Sequence, residues 1–319
     1  MTINRLEAVE LGGVRQWIRV RGADASNPVL LLMQLGPGLP IINEARRLHH
    51  LLGLEEAFTV VYWDQRGTGL SLRGRSNRVD ISSGRIIADA VSLLEMLRDR
   101  FGRKTFVTGF SFGATFAAQA AVQRPDLVAT LVAVGMDIDI PAAEAETYDF
   151  VLSTARERRD RRAVRQLETI GPPPHLNVKA FNTRARWAAN FGGVTTEGNY
   201  NSLLRALLVS LVRSSDYSLA DAIRSVRGIT TTTAALLPEL AATDLVRTMP
   251  HLDVPIVLAQ GRLDQVAPAE AAQRFHDSLV APSKQLVWFE RSAHTPHLEE
   301  PDKFRKLLMT IRATALADA

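Results

Sequence analysis

The chain of 319 residues contains no cysteine. This absence excludes disulfide frameworks, thiolate nucleophiles and zinc sites with sulfur ligands. The sequence also lacks an apolar run approaching the roughly 18 residues that a membrane-spanning helix needs. Its first residues, Met1 to Gly12, carry Glu7 and Glu10 and no long apolar region of the kind found in signal peptides. These features predict a cytoplasmic protein without a membrane partner.

The sequence also has little excess of positive over negative charge: its net charge of +4 is small for this length. The densest basic stretch, from Arg156 to Arg165, is interleaved with Glu157 and Asp160, which is typical of a solvated helix face. We therefore predict no nucleic-acid partner. No metal-ligand cluster, phosphate-binding loop or nucleotide fingerprint stands out, so we also predict no metal and no cofactor. The expected partner is a small-molecule substrate, and no feature of the sequence predicts an oligomeric state.

Short apolar runs rich in Val, Leu and Ile alternate with segments of helical periodicity. The first two predicted strands form an N-terminal hairpin, and the later ones have the pattern of strands covered on both faces. The predicted strands are Leu6 to Leu11, Val14 to Val20, Val29 to Met33, Thr59 to Trp63, Thr105 to Thr108, Leu127 to Val134, Val254 to Ala259 and Gln285 to Phe289. Alternation of this kind predicts the α/β class, with a mostly parallel sheet and helices on both faces.

One long segment interrupts the alternation. From about Pro141 to about Leu245 the sequence has helical patterns, a Gly171-Pro172-Pro173-Pro174 break and a run from Thr230 to Thr233, but no convincing strand. We predict a helical cap at 141–244, inserted into a core made of residues 1–140 and 245–319. Such an insertion would lie over the carboxyl edge of the sheet, where open α/β folds bind ligands.

A candidate nucleophile follows the strand at Thr105 to Thr108. The sequence Gly109-Phe110-Ser111-Phe112-Gly113 is a G-x-S-x-G motif with a strand before it and an alanine-rich helix after it, which is the context that the motif requires. Glycines at both ends leave room for a strained turn that presents Ser111 above the sheet. We predict that Ser111 is the nucleophile and that the Phe112 N–H, at a helix N-terminus, donates to an oxyanion.

A serine hydroxyl needs a base, and histidine fits best at neutral pH. His294 follows the last predicted strand, in a loop at the same sheet edge as Ser111, and His297 is its nearest rival. Asp264 follows the strand before that one and is the predicted orienting acid. The resulting chain order of serine, aspartate and histidine matches a known arrangement. Asp137 and Asp139, after the strand that ends near Val134, are the alternative acids, although a polar turn into the cap explains them more simply.

A second oxyanion donor is expected from the loop after the strand Val29 to Met33. That loop reads Gln34-Leu35-Gly36-Pro37-Gly38, and the Gly36 N–H is the candidate donor. The segment Asp64 to Ser71 follows the next strand, and we interpret it as a structural loop packed beside the oxyanion hole.

These motifs make the chain resemble the α/β-hydrolase superfamily and, within it, the proline iminopeptidase branch. Asp64 to Ser71 matches the DQRGxGxS stretch of that branch, Gly36-Pro37-Gly38 matches the end of its HGGPG stretch, and Ala293 to Pro301 matches its catalytic-histidine region. The resemblance implies an α/β-hydrolase fold.

The chain departs from the branch at Gln34-Leu35, where the family has His-Gly. It also departs in the cap, where iminopeptidases use carboxylates to hold the amino terminus of the substrate. The comparable stretch from Arg184 to Phe191 has aromatic residues but no acids, and Glu144, Glu146, Asp149 and Glu197 are left as weaker candidates.

The leading functional prediction is a serine hydrolase that cleaves an ester or amide of a small, largely apolar substrate through an acyl-enzyme on Ser111. Aromatic side chains near the motif and in the cap suggest an apolar pocket, and the predicted substrate contacts are Gln34, Leu35, Phe110, Trp187 and Phe191. Three alternatives remain open: a proline iminopeptidase-type exopeptidase, a non-hydrolytic tailoring enzyme on the same fold, and a binding protein that has lost catalysis. The altered Gln34-Leu35 pair motivates the second of these.

Overall fold

Eight strands form a single sheet in the computed structural model, which describes residues 1–73 and 80–317. The strands are β1 (Ile3–Leu11), β2 (Val14–Gly22), β3 (Val29–Met33), β4 (Thr59–Asp64), β5 (Thr105–Phe110), β6 (Val128–Val134), β7 (Ile256–Gly261) and β8 (Lys284–Phe289). Their order across the sheet is β1-β2-β4-β3-β5-β6-β7-β8. From β4 to β8 all pairs are parallel, whereas β2 pairs antiparallel with both β1 and β4. The predicted α/β class and the N-terminal hairpin at the sheet edge are both confirmed.

Helices cover both faces of the sheet. The helices are α1 (Ala45–Leu52), α2 (Ser83–Phe101), α3 (Phe112–Gln123), α4 (Ile140–Glu157), α5 (Arg161–Ile170), α6 (Val178–Asn190), α7 (Tyr200–Arg213), α8 (Leu219–Leu240), α9 (Leu245–Thr248), α10 (Ala269–Ser278), α11 (Pro296–Glu299) and α12 (Pro301–Ala317). Side chains alternate between the two faces along each strand. In β3, Leu31 packs in one core with α2, α3 and α10, while Leu30 and Leu32 pack in a second core with α1 and α12.

The segment between β6 and α9 contains five consecutive helices, α4 to α8. Residues 141–243 include no strand, and each of the five helices begins at an Asp, Asn or Ser whose side chain accepts a backbone N–H. The Gly171 to Pro174 break separates α5 from α6, and the Thr230 to Thr233 run lies inside α8. The core–cap boundaries at 140 and 245 stay a prediction. Within the described ranges, no helix combines the length and apolarity that a membrane crossing requires.

The sheet topology creates a crevice at its carboxyl edge. Strand β3 lies between β4 and β5, so the chain leaves β3 toward one side of the sheet and later returns to its other side. Ligands of open α/β sheets bind where the strand order reverses in this way. The loops after β3, β5, β6, β7 and β8 therefore surround the expected binding site.

Candidate active site

Ser111 occupies a strained turn between β5 and α3. Its φ of 52° lies in a region that side chains other than glycine rarely adopt. The chain can pass so tightly here because Gly113 has no side chain: a Cβ atom at Gly113 would stand 2.2 Å from the carbonyl oxygen of Gln34. A Cβ at Gly109 would stand 2.4 Å from Ala114 Cα. The close contact of α3 with the loop after β3 therefore depends on glycine and fixes the turn that carries Ser111.

His294 and Asp264 meet in the loops after β8 and β7. His294 Nδ1 lies 2.8 Å from Asp264 Oδ2, and both side chains are buried. The other oxygen of Asp264 accepts the backbone N–H groups of Val266 at 2.8 Å and Ala267 at 2.9 Å, which fixes the carboxylate in place. A Cβ at Gly135, after β6, would stand 3.1 Å from His294 Nδ1, so the imidazole packs directly on backbone. The sequence-predicted base and acid are thus paired in space.

Two opposing effects set the pKa of His294. Burial disfavours the charged imidazolium, but the negative charge of Asp264 and its hydrogen bond, assisted by Asp137, outweigh burial and raise the pKa of His294 to about 9. Its rival His297 is also buried, and there burial, together with the positive charge of Arg47, lowers the pKa to about 3. The ring of His297 packs at 4.3 Å from that of Phe110, in the core below the crevice.

Asp137 contacts the candidate nucleophile directly. The Ser111 hydroxyl donates to Asp137 Oδ2 at 2.7 Å, and the aspartate is 5% exposed. Burial raises the pKa of Asp137 to about 6, although the charge of His294 and the hydrogen bond from Ser111 oppose the rise. Asp139, the other alternative acid, instead caps α4 by accepting the N–H of Ala142 at 3.2 Å. Sequence reasoning placed both residues at the right edge of the sheet but did not pair Asp137 with Ser111.

A cavity of about 170 Å³ opens above Ser111. Asp137, His294, Leu35, Gly36 and Phe112 all line it, so several predicted site residues share one pocket. The rest of the wall is mainly apolar and comes from the segment between β6 and α9 and from nearby loops: Pro37, Ile140, Ala143, Thr147, Phe181, Ala185, Ala188, Val194, Leu237, Leu240, Ala241 and Val266.

The pocket wall also contains an ion pair that the sequence did not reveal. Glu144 of α4 and Arg184 of α6 are both buried and joined by a salt bridge. Arg184 further contacts His175 Nδ1 at 3.0 Å. Of the four acids weighed as weaker candidates, Glu144 alone lies in the wall, whereas Glu146, Asp149 and Glu197 are exposed.

Four of the five predicted substrate contacts lie elsewhere. The Gln34 side chain is buried against Thr68, whose hydroxyl donates to it at 3.3 Å. Phe110 packs in the sheet core with His297 and Phe304. Trp187 and Phe191 belong to a small core among the helices that follow β6, with their rings 5.4 Å apart. Of the five, only Leu35 is part of the pocket wall.

The loops that border the pocket are held by hydrogen bonds to buried groups. Asp64 accepts the N–H groups of Ile41 at 2.9 Å and Leu70 at 2.8 Å and also the hydroxyl of Tyr217. In α8, Thr233 donates to the carbonyl oxygen of Pro37 at 3.3 Å. Phe112 is the first residue of α3, so its N–H has no partner within that helix. Gly36 and Phe112 both line the pocket beside Ser111.

The sheet order, the strained serine turn and the surrounding crevice define the chain as an α/β-hydrolase. A model of the serine aminopeptidase family S33 matches residues 47–302, and the chain belongs to that family. The chain is therefore an enzyme of the α/β-hydrolase type.

Relatives include a probable aminopeptidase and an esterase. The probable aminopeptidase YbaC of Bacillus subtilis is 30% identical over 305 residues, which cover 95% of this chain and 94% of that protein. A pimeloyl-acyl-carrier-protein methyl ester esterase of Vibrio vulnificus is 35% identical over 256 residues, covering 78% of this chain and 88% of its own. The crystal structure of the proline iminopeptidase of Mycobacterium smegmatis superposes with a TM-score of 0.69 at 18% identity, covering 99% of this chain and all of that one, which is a likeness of fold.

Proposed function

We propose that the protein is a serine hydrolase that cleaves an ester or amide of a small, largely apolar acyl group through an acyl-enzyme on Ser111. One observation carries the proposal: Ser111, on its strained turn, shares a buried pocket with His294, and His294 is hydrogen-bonded to Asp264 at 2.8 Å. A hydroxyl, a base and an orienting carboxylate are the groups that acyl transfer to serine requires.

Each group has a defined role in the proposed reaction. The Ser111 hydroxyl has one proton, so it must leave Asp137 to donate that proton to His294 Nε2. The Ser111 oxygen then bonds to the carbonyl carbon, and the Gly36 and Phe112 N–H groups stabilise the oxyanion. The carbon–leaving-group bond breaks as His294 returns the proton to the leaving group. A water molecule then attacks the acyl carbon while His294 takes one of its protons; the bond to Ser111 Oγ breaks, and His294 returns the proton to Ser111. Asp264 accepts a hydrogen bond from His294 Nδ1 throughout.

The pocket supports a small acyl group. Its volume of about 170 Å³ is below the roughly 300–1,000 Å³ of typical small-molecule sites, and most of its wall is apolar. The relatives named for peptidase and esterase activity support both kinds of leaving group. Leu35 lines the pocket next to Gly36. The Gly36 N–H is still present, because every residue except proline has a backbone N–H.

The test combines labelling with turnover. We expect intact-mass analysis after incubation with a fluorophosphonate to show one adduct, located on Ser111 and lost in Ser111→Ala. Short p-nitrophenyl esters should be hydrolysed by the native protein, and the variant should lose at least about a thousandfold in rate, as removal of a serine nucleophile does. Proline p-nitroanilide is the matched substrate for the iminopeptidase alternative. Absence of both adduct and turnover would refute the proposal and favour non-hydrolytic chemistry.

A further inference from the structure

Helices α7 and α8 expose a large share of the apolar side chains that lie on the surface. Of the thirteen large hydrophobic side chains that are exposed in residues 1–73 and 80–317, seven lie between positions 204 and 226. Each of the seven is between 39% and 70% exposed: Leu204, Leu208, Val209, Val212, Leu219, Ile223 and Val226. Single exposed apolar residues are normal, whereas a concentration of this kind marks a surface that contacts a partner.

The exposed residues form a stripe on each helix. On α7, Leu204, Leu208 and Val212 recur every four residues and therefore share one face. On α8, the exposed residues recur at spacings of four and three, which again places them on one face. The two helices follow each other in the chain and contact each other. The other side of α7 is also apolar, with Leu211 fully buried, and a helix that is apolar on both sides is normally covered on both.

The charges beside the two stripes are positive. Three exposed cations have no salt bridge to any residue in the described part of the chain: Arg205, Arg213 and Arg227. Positions 198–238 contain two acids, and both are held by cations from the sheet side of the molecule. Asp216 pairs with Arg19 at 3.1 Å, and the buried Asp221 pairs with Arg73 at 2.7 Å. The surface is therefore apolar and cationic, with no exposed acid.

These properties favour one kind of partner. In a two-fold dimer the same surface meets itself, so a second copy would bring the three arginines toward like charges. Hot spots of protein interfaces are rich in Trp and Tyr and poor in Leu and Val. Residues 204–226 contain one aromatic residue, Tyr217, and it is buried. An anionic lipid surface matches both features, because its acyl region accepts aliphatic side chains and its head groups attract cations.

We propose that the exposed stripes of α7 and α8 bind the protein peripherally to membranes that contain anionic lipids. The apolar side chains enter the boundary between head groups and acyl chains, and the three arginines pair with lipid phosphates. The sequence predicted no membrane partner because it lacks a spanning run, but a helix that lies in the interface needs none. This proposal goes beyond the proposed hydrolysis and does not depend on it.

Helix α8 connects the proposed membrane surface to the pocket. Leu237 of α8 lines the pocket and is eleven residues beyond Val226, which corresponds to about 17 Å along a helix at 1.5 Å per residue. Docking through α8 would therefore hold the pocket close to the lipid surface.

The first test is sedimentation of the native protein with vesicles of two compositions. We expect binding to vesicles of phosphatidylcholine and phosphatidylglycerol in equal amounts, and at least about tenfold weaker binding to vesicles of phosphatidylcholine alone. Raising the salt concentration should weaken binding to the anionic vesicles, because salt screens exposed charges.

The apolar contact is tested by Val212→Gln, with Val122→Gln as the matched control. Both valines are exposed on helices, at 65% and 47%, but Val122 lies on α3. We expect Val212→Gln to weaken binding to the anionic vesicles by roughly tenfold, since a buried valine becomes a polar side chain. Val122→Gln should bind like the native protein.

The cationic contact is tested by a triple variant: Arg205→Gln, Arg213→Gln and Arg227→Gln. We expect roughly 100-fold weaker binding, from about fivefold for each cation beside an anionic surface. The control removes the same charge from α5, which has no exposed apolar stripe: Arg161→Gln, Arg162→Gln and Arg165→Gln. Its binding should change less than about threefold, because salt screens charges that are not held at the lipid surface.

A second measurement locates the surface that enters the lipid. The native chain has no cysteine, so Val212→Cys and Val122→Cys can each be labelled at a single site with a polarity-sensitive fluorophore. Anionic vesicles should shift the emission of the label at position 212 to shorter wavelength and leave that at position 122 unchanged.

The outcomes separate the possible partners. Absence of binding to either vesicle, equal losses in variants and controls, or an unchanged emission at position 212 each overturns the proposal. A dimer in solution that Val212→Gln dissociates would make a second copy the partner and also overturns it. Ester hydrolysis without vesicles should be equal in the native protein and in all these surface variants, so failure of membrane binding leaves the hydrolase proposal intact. Loss of Ser111 labelling would likewise leave the membrane proposal intact.

Discussion

Asp137 is ionisable in a place where ionisation is unfavourable. Burial raises its pKa from 3.8 to about 6. Because the folded protein holds the proton more tightly than the unfolded chain, the protein loses stability as the pH rises from about 4 through about 6, and the deficit persists at higher pH. A difference of two pKa units corresponds to about 3 kcal/mol. Retaining a charge at this cost is typical of a functional site.

We therefore expect Asp137→Asn to be more stable than the native protein at pH 8, by roughly 1–3 kcal/mol, because asparagine cannot ionise. The advantage should shrink as the pH falls through 6 toward 4. Urea unfolding at a series of pH values measures the difference. Asp139→Asn is the control, since asparagine caps a helix about as well as aspartate and should change the free energy of unfolding little. The measured quantity is the free energy of unfolding of Asp137→Asn minus that of the native protein. A smaller value at pH 8 than at pH 5 would contradict this account.

His294 makes a separate prediction about pH dependence. The imidazole accepts a proton only when neutral, and its pKa is raised to about 9 despite burial, chiefly by Asp264. The rate of p-nitrophenyl propionate hydrolysis should therefore rise with pH through about 9, after subtraction of the uncatalysed reaction. Asp137 contributes to the raised pKa, so Asp137→Asn should move the rising limb to lower pH, by roughly one unit for the loss of a nearby charge. A rate already constant from pH 7 upward would argue against this assignment.

At the scale of elements, short apolar runs located β3, β4, β5 and β7, which are buried along their whole length. The half-exposed strands β1 and β2 were located by the Gly12-Gly13 turn between them. The ends differ for reasons that patterning does not encode. Strand β7 was predicted from Val254 but begins at Ile256, after Pro255, which has no N–H for a ladder. It continues through Gln260 and Gly261 because they pair with Trp288 and Phe289 of β8.

Side-chain partners among the helices after β6 were far less predictable. Trp187 and Phe191 were expected in the pocket, yet they pack against neighbouring helices, with Trp187 Nε1 donating to Gln166 of α5 at 3.1 Å. Glu144 and Arg184 are paired across 40 positions of sequence. A helical pattern tells which residues share a face but not which neighbour that face meets. The serine turn was predictable because its requirements are local, whereas the contact between Ser111 and Asp137 depends on how two neighbouring loops approach.

The turn that carries Ser111 gives a prediction for the element α3. Gly113→Ala would place a Cβ 2.2 Å from the Gln34 carbonyl oxygen, a backbone atom that cannot move without shifting the loop after β3. We expect a loss of about 1–3 kcal/mol or more from overpacking, with a marked loss of ester hydrolysis because Gly36 lies in the displaced loop. Gly84→Ala, in the first turn of α2 where a Cβ meets nothing within 4 Å, is the control. It should leave ester hydrolysis nearly unchanged and raise the free energy of unfolding by at most about 1 kcal/mol. Thermal unfolding and ester turnover, measured on both variants, test the difference; equal behaviour would refute it.

At the scale of the molecule, the helices after β6 are joined to the sheet by buried polar contacts near the pocket. The predicted structural loop from Asp64 to Ser71 is one side of this junction. Thr232 of α8 donates to the carbonyl oxygen of Gly67 at 2.9 Å, and Arg73 pairs with Asp221 of the same helix at 2.7 Å. Tyr217, between α7 and α8, donates to Asp64 below the loop after β3. These contacts thus connect the loop after β4 to α8 and to the segment before it.

Tyr217→Phe tests whether this junction stabilises the whole fold. The change removes the hydroxyl that donates to Asp64, a fully buried carboxylate. Burial raises the pKa of Asp64, and the hydrogen bond from Tyr217 offsets part of that rise. We expect a loss of about 1–3 kcal/mol at neutral pH, the effect of removing one partner from a buried charged acceptor. The deficit should diminish as the pH falls, because the Asp64 carboxyl of the variant takes up a proton more readily and a neutral acid needs the donor less.

Tyr200→Phe is the control, since the Tyr200 hydroxyl has no hydrogen bond to any residue in the ranges that the structure describes. If urea unfolding gave equal deficits for the two variants, or a deficit independent of pH, the junction through Asp64 would not be a source of stability, and attachment of the helices would have to depend on their apolar contacts with the sheet loops.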